Sequence, residues 1–353
     1  GKCRVRVVSP VLEPTLADQL VLSKEELKQG FRLACQTRLQ QPVTVEVLAV
    51  VSFPEAAAIL AETAVAHAVF DIAECPTRKF FLRLATPTLQ DNRPDVHRLH
   101  DALGSCAVDL DLLRSLPGRL RALGFQGTAV VAGNRLLDFE QGDTTGESFG
   151  IAFDLGTTTL VGALVDLNTG QAIATTSRVN PQTRFGADVV SRILYVREHE
   201  QGLSELRSYV IEALNLMILE LAGQARIAQE RIYTAALSGN TTMLHLAAGV
   251  SPAALGEIPF VPVIGASVEL GAAEIGLAIH PRGRILFYPV LGGFVGGDTV
   301  GGILVTDLLD AESPTAFLDI GTNGEVAVNC RGKLLAASCA AGPAFEGATI
   351  THG

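Results

Sequence analysis

The chain carries one signature twice. Phe153-Asp154-Leu155-Gly156-Thr157-Thr158-Thr159 runs into a strand-like stretch, a turn at 166–170 and a further strand over 172–176. Leu318-Asp319-Ile320-Gly321-Thr322-Asn323-Gly324 runs into a strand over 325–328, a turn at 329–333 and a strand over 334–338. The two aspartates stand 165 positions apart. This repeat predicts two similar α/β lobes, each opening with a strand, a tight hairpin and two more strands. One copy alone would read as an ordinary turn in which Asp makes a local Asx bond. Two copies with matched flanks favour chemistry. Glycine lets the backbone approach a phosphate, while exposed N–H groups and Thr hydroxyls donate to its oxygens. An Asp beside a polyphosphate commonly holds Mg²⁺ through water.

The candidate nucleotide contacts are therefore Asp154, Gly156, Thr157 and Thr158 in the first copy. In the second they are Asp319, Gly321, Thr322, Asn323 and Gly324, with Asp154 and Asp319 facing Mg²⁺ through water. Asp298, in the glycine-rich Gly292-Gly293-Phe294-Val295-Gly296-Gly297-Asp298-Thr299, is the candidate catalytic residue that positions an attacking water; a plain turn role stays open. Neither a Walker A loop nor a G-x-G-x-x-G following a strand is present, so P-loop and dinucleotide sites lack support.

Composition closes off other classes. Within 353 residues the net charge is −10, Trp is absent and aromatics make up 5%. A broad basic face or a stacking platform for nucleic acid is disfavoured. The apolar stretch 56–70 is interrupted by Glu62, Thr63 and His67 and is too short for a membrane span, and no secretory signal is visible. Six scattered cysteines, at 3, 35, 75, 106, 330 and 339, suit a reducing cytoplasm. Along the chain, strands are expected over 2–8, 43–47 and 80–84. Helices are expected over 95–102 and 109–116, and a long one is marked by Leu203, Leu206, Val210, Leu214, Met217 and Leu221. Ser23 and Glu26 form a candidate capping box, and 142–146 reads as a linker. His245 reads as a satisfied core histidine, Glu198-His199-Glu200 as a solvated helix end, and Asp188 and Arg192 as a helical pair.

The two hairpins resemble those of the acetate and sugar kinase, Hsp70 and actin superfamily, with 300–309 similar to its lobe-connecting helix. Further motifs sharpen the likeness. Asn180-Pro181-Gln182, Phe185-Gly186-Ala187-Asp188-Val189-Val190-Ser191-Arg192-Ile193, Gly239-Asn240-Thr241-Thr242-Met243 and Gly342-Pro343-Ala344-Phe345-Glu346-Gly347 occur in order. Together they resemble the ATP-dependent reductive activators of corrinoid proteins. That resemblance implies an α/β fold of duplicated actin-like (ribonuclease H-like) ATPase lobes, the second truncated. Ahead of them come the tail of a β-grasp ferredoxin and a small α+β middle domain. The implied domains are 1–48, 49–146 and 147–353. The cofactors are ATP, Mg²⁺ and a 2Fe–2S cluster; Cys3 and Cys35 supply two thiolates and the other two lie upstream of an internal fragment. The partners are a corrinoid protein and a low-potential electron donor, a homodimer is allowed, and the reaction takes Co(II) to Co(I). Three alternatives stay open: a small-molecule kinase, a dehydratase activator with a bridging 4Fe–4S cluster, and an actin-like scaffold.

Overall fold

A computed structural model describes residues 4–10, 12–15, 18–19, 22–33, 37, 43–47, 75–320 and 324–339. The chain divides into two units, 1–56 and 57–353.

In the first unit, β1 (Arg4–Ser9), α1 (Lys24–Lys28), β2 (Phe31–Leu33) and β3 (Thr44–Val47) make an antiparallel sheet of order β2-β1-β3 with a short helix. Arg4 pairs with Leu33 at one end of the β1–β2 ladder. The capping box is present: the Ser23 amide donates to Glu26 Oε2 at 2.8 Å, and the Glu26 amide donates back to the Ser23 hydroxyl at 3.3 Å. Cys3 and Cys35 lie outside the described residues.

The second unit opens with β4 (Thr77–Arg83), α2 (Asp95–Leu103), β5 (Ala107–Val108), α3 (Leu110–Ala122), β6 (Gln126–Ala132) and β7 (Arg135–Glu140). The sheet order is β4-β6-β7-β5. Leu112, Leu116 and Leu120 recur every four residues, so α3 presents one apolar stripe, which packs with Leu99 and Phe139. Within 142–146 the chain is tied back to β6. The Thr128 hydroxyl donates to the Gly142 carbonyl at 2.7 Å and accepts from the Thr144 amide at 2.9 Å.

The next layer is a six-stranded sheet of order β10-β9-β8-β11-β13-β12. Its strands are β8 (Phe149–Leu155), β9 (Thr159–Asp166), β10 (Gln171–Val179), β11 (Ile232–Gly239), β12 (Val268–Gly271) and β13 (Arg284–Phe287). β8, β11 and β13 run parallel. Parallel neighbours need crossovers. Between β10 and β11 the chain forms α4 (Val189–Glu198) and α5 (Gly202–Ala225); α6 (Thr241–Ala248) and α7 (Ala272–Ile275) follow. Leu206, Val210, Leu214, Met217 and Leu221 of α5 lie fully buried against Phe153, Leu160 and Leu164 of the sheet. The connecting helix α8 (Gly297–Val305) begins three residues earlier than the sequence suggests and gives way to a 3₁₀ turn, Leu308–Asp310, so Asp298 sits inside its first turn.

The second copy forms its own antiparallel sheet of β14 (Thr315–Ile320), β15 (Gly324–Cys330) and β16 (Lys333–Cys339). Both copies are thus three-stranded meanders with the aspartate near the end of the first strand. The α/β architecture expected from the repeat is what the chain adopts.

Candidate nucleotide site

The first hairpin, 156–158, is held so that its acceptors face the protein. Asn180 Nδ2 donates to the Gly156 carbonyl at 2.9 Å, and the Asn180 amide donates to the Thr158 carbonyl at 2.8 Å. The Arg192 guanidinium donates to the Thr157 carbonyl. Asn240, the N-cap of α6, donates from Nδ2 to the Thr157 hydroxyl oxygen at 2.9 Å and accepts the Met243 amide at 3.0 Å. With these acceptors occupied, the Thr hydroxyl protons and the amides of Thr157 and Thr158 remain as donors; neither amide reaches an acceptor among the described residues. A surface this rich in free donors suits an anion.

Two glycines make the close approach possible. A Cβ on Gly156 would collide with the Thr159 carbonyl, and one on Gly296 with the Asn240 backbone. The 156–158 hairpin, the end of β11 and the start of α8 can therefore nest together. Thr241 extends the nest, its hydroxyl donating to the Gly292 carbonyl at 2.7 Å.

Carboxylates stand beside this region, Asp154 near the end of β8 just ahead of the hairpin and Asp298 in the first turn of α8. Loss of hydration, then the charges of Asp298 and Asp319, push the Asp154 carboxyl up to about 7. Burial, then Asp298 and Asp319, pushes Glu325 up to about 7 as well, although the Ser338 hydroxyl donates to it at 3.0 Å. Burial raises Asp298 and Asp319 too. Asp298 and Asp319 thus act on both Asp154 and Glu325, a repulsion that a divalent cation would relieve. Among the described residues no group of three or more His, Cys, Asp or Glu side chains comes together to hold a metal ion directly.

Asp154, Gly156, Thr157, Thr158, Asp298, Asp319 and Gly324 all fall within the described residues; Gly321, Thr322 and Asn323 fall outside them. Glu325 was missed. It pairs directly across from Asp319 in the β14–β15 ladder, and the signal was a charged residue where the first copy has an apolar one. The expected Asp188–Arg192 pair is also corrected. Asp188 caps α4 by accepting the Ser191 amide and hydroxyl at 2.8 and 3.0 Å, while Arg192 turns inward to the hairpin. His245 is the core histidine expected. Nδ1 donates to the Thr241 carbonyl at 2.7 Å, and Nε2 accepts the Val263 and Ile264 amides at 3.0 and 3.3 Å.

Cys330 pairs across from Lys333 and Cys339 across from Gly324, so the two thiols occupy opposite ends of the β15–β16 ladder, roughly 20 Å apart at 3.3 Å per residue. They cannot share a cluster within one chain. A cavity of about 350 Å³ lies elsewhere, lined by Asp138, Glu140, Tyr233 and His280. Its charges are already matched: Asp138 by Arg119 and Arg282, Glu140 by Lys79 at 2.8 Å and Arg231 at 2.9 Å. It reads as an ionic joint between β7 and β11.

Three consecutive segments match regions of one family. Residues 72–146 match the RACo linker region, 149–311 the RACo middle region and 313–353 the C-terminal domain of RACo, the ASKHA domain. The corrinoid activation enzyme RamQ of Eubacterium limosum is 39% identical over 225 residues, covering 64% of this chain and 38% of that protein. The [Co(II) methylated amine-specific corrinoid protein] reductase of Methanosarcina barkeri is 28% identical over 220 residues, covering 58% of this chain and 38% of that protein. A solved structure of a reductive activator for corrinoid,iron-sulfur protein superposes with a TM-score of 0.72 at 33% identity, over 100% of this chain and 58% of that one. The chain spans well under half the length of these two curated relatives. With linker, middle and C-terminal regions matched in order, it belongs to the RACo family.

Proposed function

We propose that the protein containing this chain is an ATP-dependent reductive activator that brings the cobalt of a corrinoid protein from Co(II) to Co(I). The observation that carries this reading is the braced hairpin, its Thr157 and Thr158 amides unpaired among the described residues, just after Asp154, whose carboxyl is pushed up by burial and by the charges of Asp298 and Asp319. That pairing suits a magnesium–polyphosphate, and the corrinoid-directed names of the two curated relatives support the direction of the chemistry. Thr157, Thr158 and the second hairpin (321–324) bind and orient the phosphates, Asp154 and Asp319 hold the hydrated ion, and Asp298 positions the attacking water. Bound Mg²⁺ supplies charge neutralisation at the phosphates.

Electrons reach the cobalt from a low-potential donor through a 2Fe–2S cluster with Cys3 and Cys35 among its four thiolates. The pairing of Arg4 with Leu33 supports this, because the segments leading to the two cysteines leave the β1–β2 ladder at the same end. The domains are 1–48, 49–146 and 147–353, and the site of action is the reducing cytoplasm. Among the described residues no helix is long and apolar enough to cross a membrane.

The test mixes full-length protein, a Co(II) corrinoid protein and a low-potential donor, and follows the Co(I) absorption band. Co(I) should form only with ATP. ATP-independent reduction, or a phosphorylated metabolite made without the partner, would defeat the reading. Cys35→Ser should abolish the reduced-state EPR signal; an unchanged signal and iron content would remove the cluster assignment.

A further inference from the structure

We infer that Arg192 is a positioning residue for the phosphates, a buried cation that delivers its charge to a bound anion through the Thr157–Thr158 peptide unit. This rests on the nucleotide reading of the first hairpin. Arg192 is 0% exposed, an unusual place for a guanidinium. Its partners are all neutral: Nε donates to the Gly186 carbonyl at 3.1 Å and one terminal nitrogen to Gln182 Oε1 at 3.1 Å. The Met243 sulfur lies 3.0 Å from the same nitrogen, and the other terminal nitrogen donates to the Thr157 carbonyl. Asp188 is engaged in capping α4, and among the described residues no carboxylate forms an ion pair with Arg192. Burial pulls its pKa down to about 10, so it stays charged at neutral pH.

A buried charge whose direct hydrogen-bond partners are all neutral, with the Asp188 carboxylate acting on it only from a distance, carries a large desolvation penalty. Its retention here is explained by what lies one peptide away. The Thr157 carbonyl and the Thr158 amide belong to a single planar unit. A cation on the carbonyl oxygen polarises that unit and strengthens its N–H as a donor. The Thr158 amide meets no acceptor among the described residues, and Thr158 is exposed. Arg192 thereby tips the hairpin toward an anion without touching it. The same contacts account for three motifs at once, because Gln182, Arg192 and Met243 come from separate stretches and meet behind Thr157.

The test measures ATP, ADP and adenosine affinities of the full-length protein by titration calorimetry, with melting curves taken without nucleotide. Arg192→Met takes the donor away from the Gly186 and Thr157 carbonyls and Gln182 Oε1, and should melt below the parent, lose ATP and ADP affinity roughly tenfold or more, and keep its adenosine affinity. Arg192→Lys should recover part of the loss. An ATP-to-adenosine ratio equal to the parent's overturns the inference. So does an equal loss of all three ligands, which would make Arg192 a structural brace. If the Met variant does not fold, the ratio in Arg192→Lys decides: a lowered ratio supports the inference and an unchanged one overturns it. A parent that binds neither ATP nor ADP overturns the nucleotide reading, and the inference with it.

Discussion

The two copies of the signature end in different mechanical circumstances. β8 sits between β9 and β11 inside a six-stranded sheet, and Asn180, Arg192 and Asn240 hold its hairpin from behind. Among the described residues β14 is an edge of a three-stranded sheet, with Leu318 60% and Ile320 85% exposed. Aspartates at matched positions therefore meet unequal surroundings. One hairpin is organised before any ligand arrives. The other has a carboxylate neighbour, Glu325, that the first lacks. Similar local sequence gives both copies the same antiparallel strand pairing, while the elements packed behind the first copy's hairpin come from distant parts of the chain.

The largest expected effect falls on chemistry. Asp154→Asn and Asp319→Asn in the full-length protein should each lower ATP hydrolysis by about 100-fold or more, since phosphoryl transfer depends on positioning and charge. Circular dichroism should show both variants folded. Parent-like hydrolysis in both would break the two-hairpin arrangement altogether.

Next is the bracing. Asn240→Ala removes the donor on the Thr157 hydroxyl and the cap of α6, and should lower the melting free energy by about 1 kcal/mol. It should also weaken phosphate binding. An Asn240→Ala protein with parent stability and parent nucleotide affinity would show that the first hairpin needs no brace, and the contrast between the copies would collapse.

The acidic cleft gives a pH dependence whose sign follows from the raised carboxyls. Asp154 and Glu325 titrate near 7 in the folded chain, having moved up from 3.8 and 4.5. The folded state thus binds protons that the unfolded state has released. Their stabilising share is present below about pH 4 and is lost as pH rises through 7. Without metal the protein should be more stable at pH 5 than at pH 8. Glu325→Gln should recover on the order of 2 kcal/mol at pH 8 and nothing at pH 4, by denaturant titration at each pH. Mg²⁺ affinity should rise between pH 6 and pH 8 as the same groups ionise. A flat stability profile would mean the second hairpin's carboxylates do not feel the first.

The smallest effect probes the exposed face. Leu335 is 67% exposed on β16, so Leu335→Ser should shift the stability of this chain by less than about 0.5 kcal/mol. A cost well above that would mean the face is covered, which would erase the difference in surroundings between the copies.

The periodic and repeated features were legible from the residues alone. The repeat, the stripe of α5, the capping box at Ser23 and the satisfied state of His245 each rest on spacing or local hydrogen bonding, and each reappears in the fold. Contacts across long separations were not legible. Asp188 and Arg192 sit one helical turn apart, which reads as a pair. Only the tertiary structure shows a capping bond competing for the carboxylate and a carbonyl 35 residues away taking the guanidinium. Glu325 looked like one strand residue among others until β14 and β15 set it opposite Asp319, and the ionic joint at Tyr233 draws on side chains from separate sheets. Periodicity records which face of an element is apolar. Which buried polar group meets which depends on where the elements are packed, and that is decided by the whole core.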